Sequence, residues 1–202
     1  MSLDRKINRI QFLSGNSLKV IAVLTMLIDH LCKIVLQWLL SNYWGAMADN
    51  GQMSWERFRE IDYFIRFDLQ SIGTIAFPLF CFLLAEGFQH TRSKKRYIGL
   101  MLAFALISEV PFDIGFFNAY SRMEGTFPFY LKYQNVFFTL FLGLLTLVCL
   151  ERFSCKSDLP VDRIKSAVLQ VLSVVLFSGI AEGIHCDYGM QGILFISAFY
   201  IC

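Results

Sequence analysis

The stretch LKVIAVLTMLIDHLCKIVLQWLL, Leu18 to Leu40, decides the fold. It is long enough to cross a hydrocarbon core, and it carries Asp29 and His30 side by side in its middle. An ionisable pair at that depth is costly for a membrane helix. It marks a cavity, an ion or substrate route, or a catalytic site. The competing reading is a polar contact that only positions this helix against its neighbours.

The rest of the chain agrees with a membrane setting. Of 202 residues, 56% are hydrophobic, 17% are charged and 21 are Phe. A soluble domain has no interior large enough for that much apolar surface. The fold class is therefore all-α: a polytopic transmembrane helical bundle forming one integral membrane domain over residues 1–202. The formal charge of +2 is close to balance, and the basic residues cluster between apolar runs. That pattern speaks to membrane topology and not to nucleic acid. The start, Met1 to Gly15, has neither a compact apolar core nor a small-residue cleavage site, and reads as a cytoplasmic leader. Six cysteines form no metal-ligand or CxxC spacing, so neither a disulfide scaffold nor a bound metal is expected.

Six apolar segments are expected to span: Leu18 to Leu40, Ile72 to Phe88, Ile98 to Phe112, Val136 to Leu150, Ile164 to Gly183, and one beginning near Tyr188. The sixth reaches Cys202 after only about fifteen residues, against ~20 for a full crossing, which predicts a chain truncated there. Arg92, Lys94, Lys95 and Arg96 place one turn inside, and Arg152, Lys156, Arg163 and Lys165 another. The amino terminus is then cytoplasmic, in the bacterial cytoplasmic membrane, and the loops near 41–67, 113–133 and 184–188 face outward. Within the outer loop 41–68, SWERFREIDYFIRF spaces Trp55, Phe58, Ile61 and Ile65 for an amphipathic helix lying at the interface.

The polar side chains fall into three groups. His30 is the candidate catalytic base, because a neutral imidazole accepts a proton near physiological pH, and Asp29 stabilises or organises it. Glu86, His90, Arg92, Lys95 and Arg96 collect where the second span reaches the cytoplasm and suit the phosphates of a cofactor, although positive-inside topology is the preferred account of the lysines. Glu109, Asn135, Glu182, Asp187 and Tyr188, with Asp113 and His185 nearby, would build an outward mouth for a second substrate or a cation. Neither a phosphate-cradling loop nor a dinucleotide fingerprint, zincin pair or serine elbow appears.

The blocks LKVIAVLTMLIDHLCK, IGTIAFPLFCFLLAEGFQHTRSKKRY, QNVFFTLFLGLL and CDYGMQGIL, spread from Leu18 to Leu194, resemble the TraX family of membrane proteins. The resemblance implies an acetyl-coenzyme A-dependent acyltransferase, associated in that family with acetylation of the pilin amino terminus. It carries over Asp29, His30, Glu86, His90, Arg92, Asn135, Asp187 and Tyr188, and it implies further spans after the last one here. The expected partners are the lipid bilayer and an acyl acceptor, either a peptide amine such as pilin, a sugar or a lipid. Two other classes stay open: a small proton-coupled transporter or channel, and a non-enzymatic membrane assembly factor.

Overall fold

The computed structural model describes residues 14–116, 130, 132–155, 157 and 159–202. The basic leader and most of the expected outer loop 113–133 lie outside the described residues. The described chain is helical throughout: α1 (Gly15–Asp49), α2 (Trp55–His90), α3 (Lys94–Phe116), α4 (Val136–Arg152), α5 (Pro160–Gly183) and α6 (Gly189–Ile201). It divides into two compact units, Met1–Leu83 and Leu84–Cys202.

Among the described residues four helices, α1, α2, α3 and α5, are long and apolar enough to cross a membrane. This corrects the expected six. At 1.5 Å per residue α4, with 17 residues, extends about 25 Å, short of a hydrocarbon core of about 30 Å. Continuous apolar character in the sequence did not distinguish α4 from the longer helices.

In the first unit, α1 and the start of α2 form a hairpin. The segment 41–68 is helix on both sides of a short turn at 50–54, where Ser54 Oγ accepts from Arg57 N at 3.2 Å and caps α2. Both helices carry π-helical segments, at Leu31–Leu36 and Leu40–Trp44 in α1 and at Phe64–Leu69 in α2. The hairpin core is built on buried Cys32, Leu40 and Ile65, with Ile28, Leu36, Trp44, Phe58, Ile61 and Leu69 packed around them. Regular helix breaks at Ile75, because Pro78 has no N–H to offer the carbonyl of Thr74 four residues back.

In the second unit α4 is central. It packs against α3, α5 and α6, and it buries Thr139, Leu140, Leu142, Gly143, Leu144, Thr146, Leu147 and Leu150 around its circumference. A Cβ at Gly143 would come within 2.3 Å of Ile196 Cδ1, so α4 and α6 approach closely there. Polar residues of α5 bond the end of α4: Gln170 Nε2 donates to Leu150 O at 3.0 Å, and Ser166 Oγ donates to Phe153 O. The opposite face of α5 leaves Val161, Ile164, Val168, Val171 and Val175 exposed, as a lipid-facing surface requires.

Candidate functional site

In the first unit, Asp29 is 4% exposed and lies where α1 meets α2. A Cβ at Gly73 would stand 2.7 Å from Asp29 Cβ and 2.8 Å from its Cα, so only glycine leaves room for this contact. Asp29 Oδ2 accepts from Lys33 Nζ at 2.8 Å, one helical turn away. Its Oδ1 has no hydrogen-bond partner among the described residues. His30 Nδ1 is 3.8 Å from Asp29 Oδ2, too far for a hydrogen bond, and instead faces Met26 O at 3.0 Å. A carbonyl only accepts, so Nδ1 carries the proton and Nε2 the basic lone pair of the neutral ring. The side chain of His30 is 39% exposed, open enough to meet a reactant.

The five residues expected to hold a cofactor lie about the α2 to α3 turn. Glu86 and His90 are exposed on the last turns of α2, Arg92 is in the turn, and Lys95 and Arg96 open α3, all three exposed. Lys94, between them, bonds Glu151 and stands 4.5 Å over the Phe88 ring. Arg92, Lys95 and Arg96 are thus exposed about the amino-terminal end of a 23-residue helix.

The five residues expected to bind a second substrate gather at one joint of the second unit. Asn135 is the hub. Its Oδ1 caps α4 by accepting from Phe137 N at 2.9 Å, and its Nδ2 donates to Ala105 O at 2.9 Å and to Glu109 Oε2. Its backbone N–H also donates to Glu109 Oε2, at 3.2 Å. One turn on from Glu109, buried Asp113 accepts from Tyr130 N at 2.6 Å. Glu109 Oε1 and Asp113 Oδ1 have no hydrogen-bond partner among the described residues.

A parallel bridge then ties the entry of α4 to the α5–α6 turn: Gln134 N donates to His185 O at 3.1 Å, and Asp187 N to Gln134 O at 2.9 Å. Thr139 Oγ1 donates to Asp187 O, and Tyr133 OH to Asp187 Oδ1 at 3.3 Å. Burial, followed by the neighbouring Asp187, pushes the Tyr133 hydroxyl up to about 12.

Beside this joint Tyr133, Glu182, His185, Cys186, Tyr188, Gly189 and Gln191 line an open cleft of about 460 Å³. His185 and Tyr188 are the non-glycine residues with positive φ among those described, at 53° and 63°. Gly189, at φ 39°, leaves room for Glu182 Oε1, which a Cβ there would meet at 2.6 Å and which accepts from Met190 N at 2.9 Å. Burial raises the Cys186 thiol to about 11, with Glu109, Asp187 and Glu182 adding to the effect against a hydrogen bond with Thr139. Sequence reasoning missed Lys33, Tyr133 and Thr139. Lys33 was findable from its spacing to Asp29, whereas nothing in the sequence separates Tyr133 or Thr139 from other neutral polar residues.

Fold and side chains together define a helical membrane protein with ionisable groups buried within and between its apolar helices. Residues 14–202 match the family model described as TraX protein, and the chain belongs to the TraX family. It is also similar to a protein of Dichelobacter nodosus described as "Probable fimbrial assembly protein FimC, serogroup H1". The two are 29% identical over 186 residues, 90% of this chain and 59% of that protein, so the chain spans about three-fifths of its relative's length. No solved structure matches it.

Proposed function

We propose that this chain is a membrane-embedded acetyltransferase moving an acetyl group from acetyl-coenzyme A to an amine or hydroxyl acceptor. The observation that carries the reading is the place of His30, a partly exposed imidazole within an apolar span whose Nδ1 faces Met26 O at 3.0 Å. His30 takes the proton from the attacking amine or hydroxyl, and the Asp29 carboxylate, 3.8 Å away, stabilises the imidazolium by charge. Lys33 Nζ, at 2.8 Å, holds the Asp29 carboxyl in place.

The donor supplies an activated thioester. Arg92, Lys95 and Arg96, with Glu86 and His90 beside them, would hold its phosphates, at a turn whose positive charge favours the cytoplasmic side. The joint of Glu109, Asn135, Glu182, Asp187 and Tyr188 receives the acceptor. A pilin amine is the acceptor this family implies, and the fimbrial assembly role in the relative's description supports a protein of that kind.

The test is coenzyme A release by the purified protein in lipid, with candidate acceptors. His30→Ala and His30→Gln are expected to lose about a hundredfold or more in acceptor-dependent release while keeping membrane insertion. Full turnover in either variant would remove the proposed base. The ion pair of Asp29 with Lys33 inside a span also suits a proton-coupled transporter. That reading predicts pH-dependent flux without thioester consumption.

A further inference from the structure

The hairpin of α1 and α2 carries a second open cleft, also about 460 Å³, that the proposed chemistry does not use. Six of its lining residues are apolar or aromatic: Leu36, Trp44, Ile61, Phe64, Ile65 and Leu69. Each of the three π-helical segments contributes to this lining: Leu36 from the first, Trp44 from the second, and Phe64, Ile65 and Leu69 from the third. A π segment fits an extra residue into the turn and re-aims the side chains around it, a device frequent at functional sites. The remaining lining residues are Arg57 and Glu60, an exposed ion pair at 3.3 Å.

The depth of the cleft in the bilayer follows from length. Helix α1 has 35 residues and extends about 50 Å, well beyond a hydrocarbon core of about 30 Å, so part of the hairpin projects past the lipid tails. The exposed aromatics Trp38, Tyr43, Trp55 and Tyr63 surround the projecting end, as they do at headgroup level. An apolar slot at that level, ending in one cation and one anion, presents the same sequence of chemistry as a phospholipid: hydrocarbon, then phosphate, then ammonium.

We propose that this cleft is a binding site for one zwitterionic phospholipid, its acyl chain along Leu36, Ile65 and Leu69, its phosphate on Arg57 and its primary ammonium on Glu60. The guanidinium offers a fork of donors to phosphate oxygens, and the carboxylate accepts from the ammonium. An anionic headgroup satisfies Arg57 but is repelled by Glu60, so charge alone sets the preference.

Native mass spectrometry of the full chain in detergent tests this, with dioleoyl-phosphatidylethanolamine or dioleoyl-phosphatidylglycerol added. The unaltered protein is expected to retain the ethanolamine lipid about fivefold better. Glu60→Gln, at an exposed position that does not endanger folding, is expected to abolish that preference. Ile61→Trp, which fills the slot, is expected to lower retention of both lipids with helix content unchanged by circular dichroism. Equal retention of the two lipids by the unaltered protein, or a preference that survives Glu60→Gln, would overturn the proposal.

Discussion

The ionisable groups of the two units are held in opposite ways. In the first unit Asp29, His30 and Lys33 come from one stretch of α1 and find partners within a turn: Lys33 on Asp29, and His30 on Met26 O. At the same place α2 brings Gly73, where a Cβ would meet Asp29. In the second unit the carboxylates take bonds from another helix or segment: Glu109 Oε2 from Asn135, Asp187 Oδ1 from Tyr133 OH, and Asp113 Oδ2 from Tyr130 N. Local pairing leaves a side chain free to change partners during a reaction, because its helix does not depend on the bond. Pairing between helices makes the polar groups part of what holds the unit together.

Substitutions that break each kind of pairing separate the two. Asn135→Ala is expected to have the largest effect on folding, about 3 kcal/mol, because it removes a helix cap and leaves the buried Glu109 carboxylate without its amide donor. Unfolding in a graded denaturing detergent measures this, and a loss below 1 kcal/mol would mean the joint is not structural. Gly73→Ala is expected to cost about 2 kcal/mol, since its methyl meets the backbone of Asp29 and the helices must separate. Gly143→Ala, whose methyl meets only the tip of Ile196, is expected to cost about half as much in the same assay.

The smallest effect concerns pH. The folded chain holds the Tyr133 proton to about 12, above the ordinary 10.0, so the folded state binds more protons than the unfolded one between those values. The stability this supplies is complete below pH 10 and is lost as pH rises through 12. Tyr133→Phe is expected to flatten that alkaline decline in a melting series and to change little at neutral pH.

The same contrast explains what could be read in advance. Asp29 and His30 stood out because a charge within an apolar run needs no tertiary knowledge to notice, and Lys33 lay within reach of the same rule. Glu109, Asn135 and Asp187 were recognisable as polar residues at helix ends, but their meeting depends on how α3, α4 and the α5–α6 turn pack, which no spacing encodes. Thr139 was invisible because a threonine inside an apolar helix ordinarily bonds its own backbone, as Thr146 does to Leu142 O at 2.9 Å. The segment 41–68 read as an outer loop whose second half forms an amphipathic helix at the interface. Helix nevertheless continues to Asp49 and resumes at Trp55, with the π segments seated where the hairpin core and its cleft are built.

The parallel bridge between Gln134 and Cys186 also sets a schedule for synthesis. Glu109 and Asn135 can meet as soon as the start of α4 has left the ribosome, so a carboxylate bound for the interior is shielded early. Gln134 and Thr139 must wait for His185 and Asp187, about fifty residues later, before their bonds close. Until then the entry of α4 stays open, and a chain stalled in that interval would expose polar backbone to the insertion machinery and to membrane proteases.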